Sequence, residues 1–147
     1  MRGKKKTHEG DALKPVYKHV TYEPGICNIG RTEIRKRYSF GAIGFILTVA
    51  LFYYFMLSGM LTQWFVLLVI PLFAGFEGLY QGRMHFCAGF AMGGKYDLSG
   101  TRKDKGKVTN KTSHRLDITQ AMKIHIYSLY SSELATVVLI LLSAVLY

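Results

Sequence analysis

Long stretches of this sequence contain no Lys or Arg. All nineteen of these cations lie within residues 2–37 and 83–123, while residues 38–82 and 124–147 have none. The cation-free stretches are also the most apolar, and a segment that crosses ~30 Å of hydrocarbon needs about 20 mostly apolar residues. The partition therefore predicts an integral membrane protein.

Catalytic signatures are missing as well. The sequence has no His-Glu-x-x-His, no Gly-x-Ser-x-Gly and no dinucleotide fingerprint. Residues 89–95 match most of a phosphate-binding loop, but Tyr96 stands where Mg²⁺ ligation needs Ser or Thr, and the chain has no room for the surrounding α/β fold. We therefore expect no enzyme, no cofactor and no soluble small-molecule substrate.

The excess of cations gives a net charge of +10, which in a soluble protein would suggest nucleic acid. No helix-turn-helix, zinc-finger or base-stacking pattern accompanies the charge, so no nucleic-acid partner is expected. The positive-inside rule accounts for both basic regions if they are cytoplasmic. It predicts a protein of the cytoplasmic (inner) membrane with its N-terminus inside and its C-terminus outside.

The expected fold is all-α with three transmembrane helices. The spans cover about residues 38–57, 62–81 and 124–147. A tight connection at 58–60 makes the first two spans a helical hairpin. Residues 1–31 are expected to form a basic, extended cytoplasmic arm and residues 32–147 the three-span domain, with 82–123 as a cytoplasmic loop.

Local signals predict where the helices begin and bend. Thr32 is a suitable N-cap for the first helix, and Pro71 is expected to kink the second because it removes a backbone donor. The third helix is expected to begin near Asp117. Residues 95–115 combine charge with Gly and Ser/Thr without hydrophobic periodicity, which indicates a solvated loop.

Small residues recur at four-residue spacing in the second and third spans. Such stripes allow helices to approach closely in a membrane. We expect the two stripes to pack against each other; they are Ala74, Gly78 and Gly82 in the second span and Ser128, Ser132 and Thr136 in the third.

Cations also gather where the first span meets the inner interface. Anionic lipid headgroups contribute attraction of about 1 kcal/mol per cation there. The residues expected to contact anionic lipids are Arg31, Arg35, Lys36 and Arg37.

Two carboxyl groups, Glu77 and Glu133, lie inside the spans. Acids in hydrocarbon are costly and need a partner or a function. If the two face each other, they form a protonatable pair or part of a proton or cation path. The alternative is a single neutral or hydrogen-bonded Glu near the inner interface, paired with Ser131, Tyr80, His125 or another subunit.

Both cysteines of the chain, Cys27 and Cys87, lie in the basic regions. These regions are expected to be cytoplasmic, where thiols stay reduced, so a disulfide is not expected. Together with His85 they could ligate a metal, although paired Cys-x-x-Cys knuckles are absent. Lone cysteines among Ala, Gly and Phe are more often small buried hydrophobes.

Three functions remain open after these arguments. We expect a non-catalytic accessory or structural subunit of a larger membrane complex, whose partners are other integral membrane subunits and anionic lipids. The first alternative is a homo-oligomeric channel or transporter that uses Glu77 and Glu133. The second is a thiol- or metal-binding membrane protein that uses Cys27, His85 and Cys87.

Overall fold

The computed structural model describes residues 21–60, 62–98 and 105–146. Most of the expected basic arm, residues 1–20, lies outside these ranges. The described elements, in chain order, are α1 (Arg31–Leu57), a 3₁₀ helix (Thr62–Leu68), α2 (Val69–Arg83), α3 (Ala88–Met92), β1 (Lys95–Asp97), β2 (Lys105–Lys107) and α4 (Lys111–Leu146). The protein is mostly helical, as expected.

Three helical stretches are long and apolar enough to cross a membrane: Arg31–Leu57, Gln63–Arg83 and Lys111–Leu146. They correspond to the three predicted spans. Helix α2 lies between the other two and packs against both, whereas α1 and α4 have hardly any contact with each other. Membrane insertion and the orientation of the termini stay predictions.

The first helix begins one residue before the expected cap. Gly30, with extended backbone, is the N-cap and offers no side-chain hydrogen bond, so Thr32 lies inside the helix instead of capping it. Glu33 in the first turn is buried and binds Lys36 and Arg37. A carboxylate at this end also favours the helix because the N-terminus of the helix dipole is positive.

Pro71 sits in the first turn of α2, where its missing N–H disrupts little of the helix. The irregularity lies upstream, because residues Thr62–Leu68 are a 3₁₀ helix that continues into α2. The α-helix is therefore interrupted before Pro71, where the helix type changes.

Glycines bring the backbones of α1 and α2 into direct contact. A Cβ placed on Gly44 would lie 2.6 Å from the backbone N of Gly75, and one on Gly78 would lie 2.5 Å from the backbone N of Gly41. Real Cβ atoms do not approach backbone so closely, so any larger residue at these positions must push the helices apart.

The expected packing of Gly78 and Gly82 against α4 is therefore wrong. Gly78 faces the α1 backbone and Gly82 lies under the ring of Tyr38, also on α1. The α4 stripe of Ser128, Ser132 and Thr136 is buried, and α4 packs against α2 as well as against α3 and the 3₁₀ helix. Ala74 is only partly buried. Two glycines on α1 permit a closer approach than the hydroxyl-bearing α4 face allows.

Two apolar clusters hold the ends of the bundle. At one end the rings of Phe52 and Phe55 each pack edge-on against Phe65, with centroids 5.6 Å apart, above Leu68 and Leu72. The other cluster joins α3 and the segment before it to the first half of α4; it contains Phe86, Ala88, Ala91, Ala121 and Ile124.

The region expected to be a solvated loop is structured where it is described. Strands β1 and β2 pair antiparallel, with Lys95 opposite Lys107. Helix α4 begins at Lys111, six residues before Asp117, which is fully buried within the helix. Hydrophobic periodicity did not reveal these elements because polar contacts hold them in place.

The glycine contact gives the first prediction. Gly78→Ala should destabilise the protein by about 1–3 kcal/mol, because the added methyl group meets the α1 backbone and not a flexible side chain. Thermal unfolding of the full chain in detergent measures the effect.

Gly89→Ala is the matched control, since a Cβ there would meet only the Cys87 sulfur, at 3.9 Å. Equal melting temperatures for the wild type and the Gly78→Ala variant would contradict the close packing of α1 on α2.

Candidate functional site

Glu77 is a buried carboxyl group on α2 that contacts α4. Its Oε1 accepts a hydrogen bond from Gln81 Nε2 at 2.7 Å and lies 3.0 Å from His125 Nδ1 on α4. The hydroxyl groups of Tyr80 and Ser131 share a hydrogen bond of 2.8 Å between the same two helices. The structure thus agrees with the alternative of a hydrogen-bonded Glu paired with His125.

The Glu77 site has unused hydrogen-bonding capacity. Glu77 Oε2 and Gln81 Oε1 are buried and lack a hydrogen-bond partner within the described part of the chain, as does Arg37 Nε. Gln81 Nε2 and His125 Nδ1 both approach Oε1, so the second oxygen keeps its acceptor sites open. Chemically, this oxygen can take a proton or accept a hydrogen bond from a small donor such as water.

Glu133 has the opposite environment. It is exposed on α4, beside the buried Ser132, and faces away from the rest of the bundle. His125 is eight residues earlier on the same helix, or ~12 Å along the axis. The structure therefore does not bring Glu77 and Glu133 together within one chain.

The predicted metal ligands take part in other contacts. Cys27 Sγ lies 3.6 Å from the Ile29 carbonyl oxygen, and Cys87 Sγ accepts a hydrogen bond from Phe90 N as the N-cap of α3. His85 is exposed, with a positive φ of 52°. Among residues 21–60, 62–98 and 105–146, no group of three or more His, Cys, Asp or Glu could hold a metal ion.

A buried asparagine that sequence reasoning missed ties the segment before α1 to the chain after α2. Asn28 Nδ2 donates to the Cys87 carbonyl at 3.0 Å, and its Oδ1 accepts from Cys87 N at 2.6 Å. Its backbone N–H donates to His85 O and its carbonyl accepts from Asp97 N. Local sequence gave no signal for this contact, because the partners are far apart in the chain.

Asp117 is the second buried anchor of this region. Its Oδ2 accepts from the Tyr22 hydroxyl at 2.8 Å and its Oδ1 from Gly25 N at 2.7 Å. The Tyr22 ring also stacks on Tyr96, with centroids 4.7 Å apart. Burial, and then the bond to Asp117, raise the pKa of Tyr22. Residues 21–30 are therefore packed against α4 and β1 instead of forming a free extended arm.

The cations at the start of α1 are not equivalent. Arg31, Arg35 and Lys36 are exposed, so lipid contact stays a prediction for them. The guanidinium of Arg37 is only partly exposed, lies 3.4 Å from Glu33 and sits 5.9 Å from the ring centre of Phe90. Arg37 is therefore the least exposed of the four cations, and lipid contact stays a prediction for it as well.

Polar groups thus fall into two classes. Those around Asn28 and Asp117 form hydrogen bonds to distant parts of the chain. Glu77 keeps one oxygen without a partner among the described residues, and Glu133 is exposed on an apolar helix. No family model matches this sequence, and comparison with curated proteins and with solved structures finds no match either.

The anchor at Asp117 can be tested directly. Asp117→Ala should release residues 21–27, because it removes both acceptors that hold Tyr22 and Gly25. Hydrogen exchange of this segment should rise at least about tenfold if each bond contributes about 1 kcal/mol.

Thr119→Ala, an exposed position two residues along α4, is the control. Unchanged exchange of residues 21–27 in the Asp117→Ala variant would show that the aspartate does not hold them.

Thiol chemistry separates a buried cysteine from a reactive or metal-binding one. Burial raises the pKa of Cys27, so little thiolate forms at neutral pH, and maleimide labelling should be slow and accelerate as the pH rises. A Thr109→Cys variant, exposed after β2, gives the reference rate in the same protein. Equal rates at the two positions at pH 7 would contradict the buried thiol.

Proposed function

We propose that this protein is a non-catalytic accessory or structural subunit of a larger integral membrane complex, with its N-terminus cytoplasmic and its C-terminus outside. The observation that carries the proposal is Glu133, an acid exposed on an otherwise apolar face of α4. Within the described part of the chain this carboxyl group has no hydrogen-bond donor or cation, and a neighbouring membrane helix would supply one.

Glu133 lies far along the apolar part of α4. It lies ten residues after Lys123, the last cation before the apolar part of α4, or ~15 Å along the helix. That distance is about half of a ~30 Å hydrocarbon layer. An acid at such a depth costs about 2.5–3.5 kcal/mol on insertion scales, and such residues almost always face a protein partner or a cavity.

The side chains around Glu133 form an exposed face of α4. Tyr130 precedes it by three residues and Val137 and Leu141 follow at four and eight, so the four lie on one helical face. Tyr130 is 69 % exposed and Leu141 62 % exposed. The opposite face of α4 is buried against its own chain. Helix α4 therefore has one face for the bundle and a second one available for a neighbour.

The internal use of Glu77 supports an accessory role over a transport role. Glu77 binds Gln81 and His125 in the α2–α4 contact, so it is not aligned with Glu133 along a common path. A homo-oligomer that brings the Glu133 side chains of several copies together remains the alternative, and the test below separates the two.

Photo-crosslinking from the exposed face of α4 tests the proposal. A photoreactive residue replacing Val137 should give a discrete product with a different integral membrane protein in native membranes. The matched control replaces Ile46, which is 69 % exposed on α1. A product of two copies of this chain would replace the proposal with the homo-oligomeric alternative. Absence of any discrete product from position 137 would overturn both.

The carboxyl group itself is tested in the same assay. Glu133→Leu should weaken association about 5- to 30-fold, since an interhelical hydrogen bond in a membrane contributes about 1–2 kcal/mol. Glu133→Gln should keep most of the crosslink because its amide can still bond. Leu47→Ala, on the exposed face of α1, controls for general effects of surface substitution.

A further inference from the structure

A lateral groove runs between α1 and α4 because these helices do not pack against each other, and α2 forms its floor. Its volume is about 550 Å³. The walls include Phe45 and Val49 of α1 and Leu134 and Val138 of α4, and Phe76 lies on the floor.

The groove offers almost nothing polar to a ligand. Its two hydroxyl groups are already bonded: Thr48 Oγ1 donates to the Gly44 carbonyl at 2.9 Å, and Ser131 shares a hydrogen bond with Tyr80. Because these groups are occupied, the groove fits a hydrocarbon chain and not a polar molecule.

Aromatic side chains extend the floor towards the basic end of the bundle. Leu72, Phe76 and Tyr80 follow each other at four-residue spacing on α2, so they share one helical face. The rings of Phe76 and Tyr80 stack with centroids 6.3 Å apart, and Tyr127 of α4 lies 6.1 Å from Tyr80. One turn beyond Tyr80, α2 ends at Arg83.

Each of the three helices carries an exposed cation at this end: Arg35 on α1, Arg83 on α2 and Lys123 on α4. Within the described ranges none of the three forms an ion pair. Lys36 and Lys105, in contrast, are paired with acids of the chain. These three cations are therefore available to bind an anion.

The distance from the groove to the cations matches the length of a lipid chain. Arg35 is ten residues before Phe45 and Lys123 is eleven before Leu134, or ~15–17 Å along each helix. One leaflet of a ~30 Å hydrocarbon layer has about the same thickness. At 100° per residue, Arg35 lies about 80° around α1 from Phe45, within reach of its long side chain.

We propose that this groove binds an anionic phospholipid of the inner leaflet, with one acyl chain between α1 and α4 and the phosphate held by Arg35, Arg83 and Lys123. The inference rests on the membrane orientation in the proposed function. Charge complementarity selects this occupant, because an apolar helix from another subunit would gain nothing from three cations at the end of the groove.

Native mass spectrometry of the delipidated full chain in detergent tests the site, with phosphatidylglycerol and phosphatidylcholine of identical chains as probes. Phosphatidylglycerol should bind at least about tenfold more tightly, as expected for several cations near one headgroup. Replacing Arg35, Arg83 and Lys123 together with Gln should remove this preference. Ala135→Phe, which fills the groove, should weaken both lipids.

The control replaces Lys95, Lys107 and Lys111, three exposed cations away from the groove, with Gln and loses the same charge. An equal loss in this control would mean that net charge alone attracts the lipid and would overturn the site. Equal affinity for the two lipids would also overturn the site, as would unchanged lipid affinity in the Ala135→Phe variant.

The lipid-binding test and the crosslinking test of the proposed function can give different results. The photo-crosslinker at Val137 reports on a different face of α4 and can succeed while lipid binding fails. Release of the protein from membranes by alkaline carbonate would instead show that it is not integral and would end both proposals.

Discussion

The contact between the glycines of α1 and α2 is the constraint on which the rest of the bundle depends. Gly41 and Gly44 meet Gly75 and Gly78 at distances that leave no space for a methyl group. This contact fixes α1 on one side of α2, and α4 occupies another side. The groove between α1 and α4 exists for this reason, since both helices are positioned by α2 and not by each other.

A second constraint is the hydrogen bonding at the basic end of the bundle. Asn28 and Asp117 are each fully buried, and each binds groups that are remote in sequence. Buried polar groups without partners are costly, so these bonds select one arrangement of the segment before α1, the chain around α3 and the start of α4. The basic region is therefore a folded cap on the helices where it is described.

Glu77 and Glu133 are the same residue type in two different environments. Glu77 points into the α2–α4 contact and finds Gln81 and His125 there, so it is explained largely by its own chain. Glu133, one residue after the buried Ser132, points outward and has no such neighbours among the residues that the structure describes. An acid that points outward from an apolar helix suggests a partner outside the chain. An acid that points inward is explained first by the packing of its own chain.

The number and approximate places of the apolar helices can be read from the amino-acid sequence, because the absence of Lys and Arg over a long stretch is a property of each segment alone. The sequence did not determine which faces meet. Four-residue spacing in α2 is compatible with either neighbour, and only the fold showed that Gly78 meets Gly41. Likewise, the sequence predicted only that a helix begins near Asp117, because its partner Tyr22 is ninety-five residues away. The rotation of each helix and the long-range hydrogen bonds depend on the whole chain, so they become visible only in the folded protein.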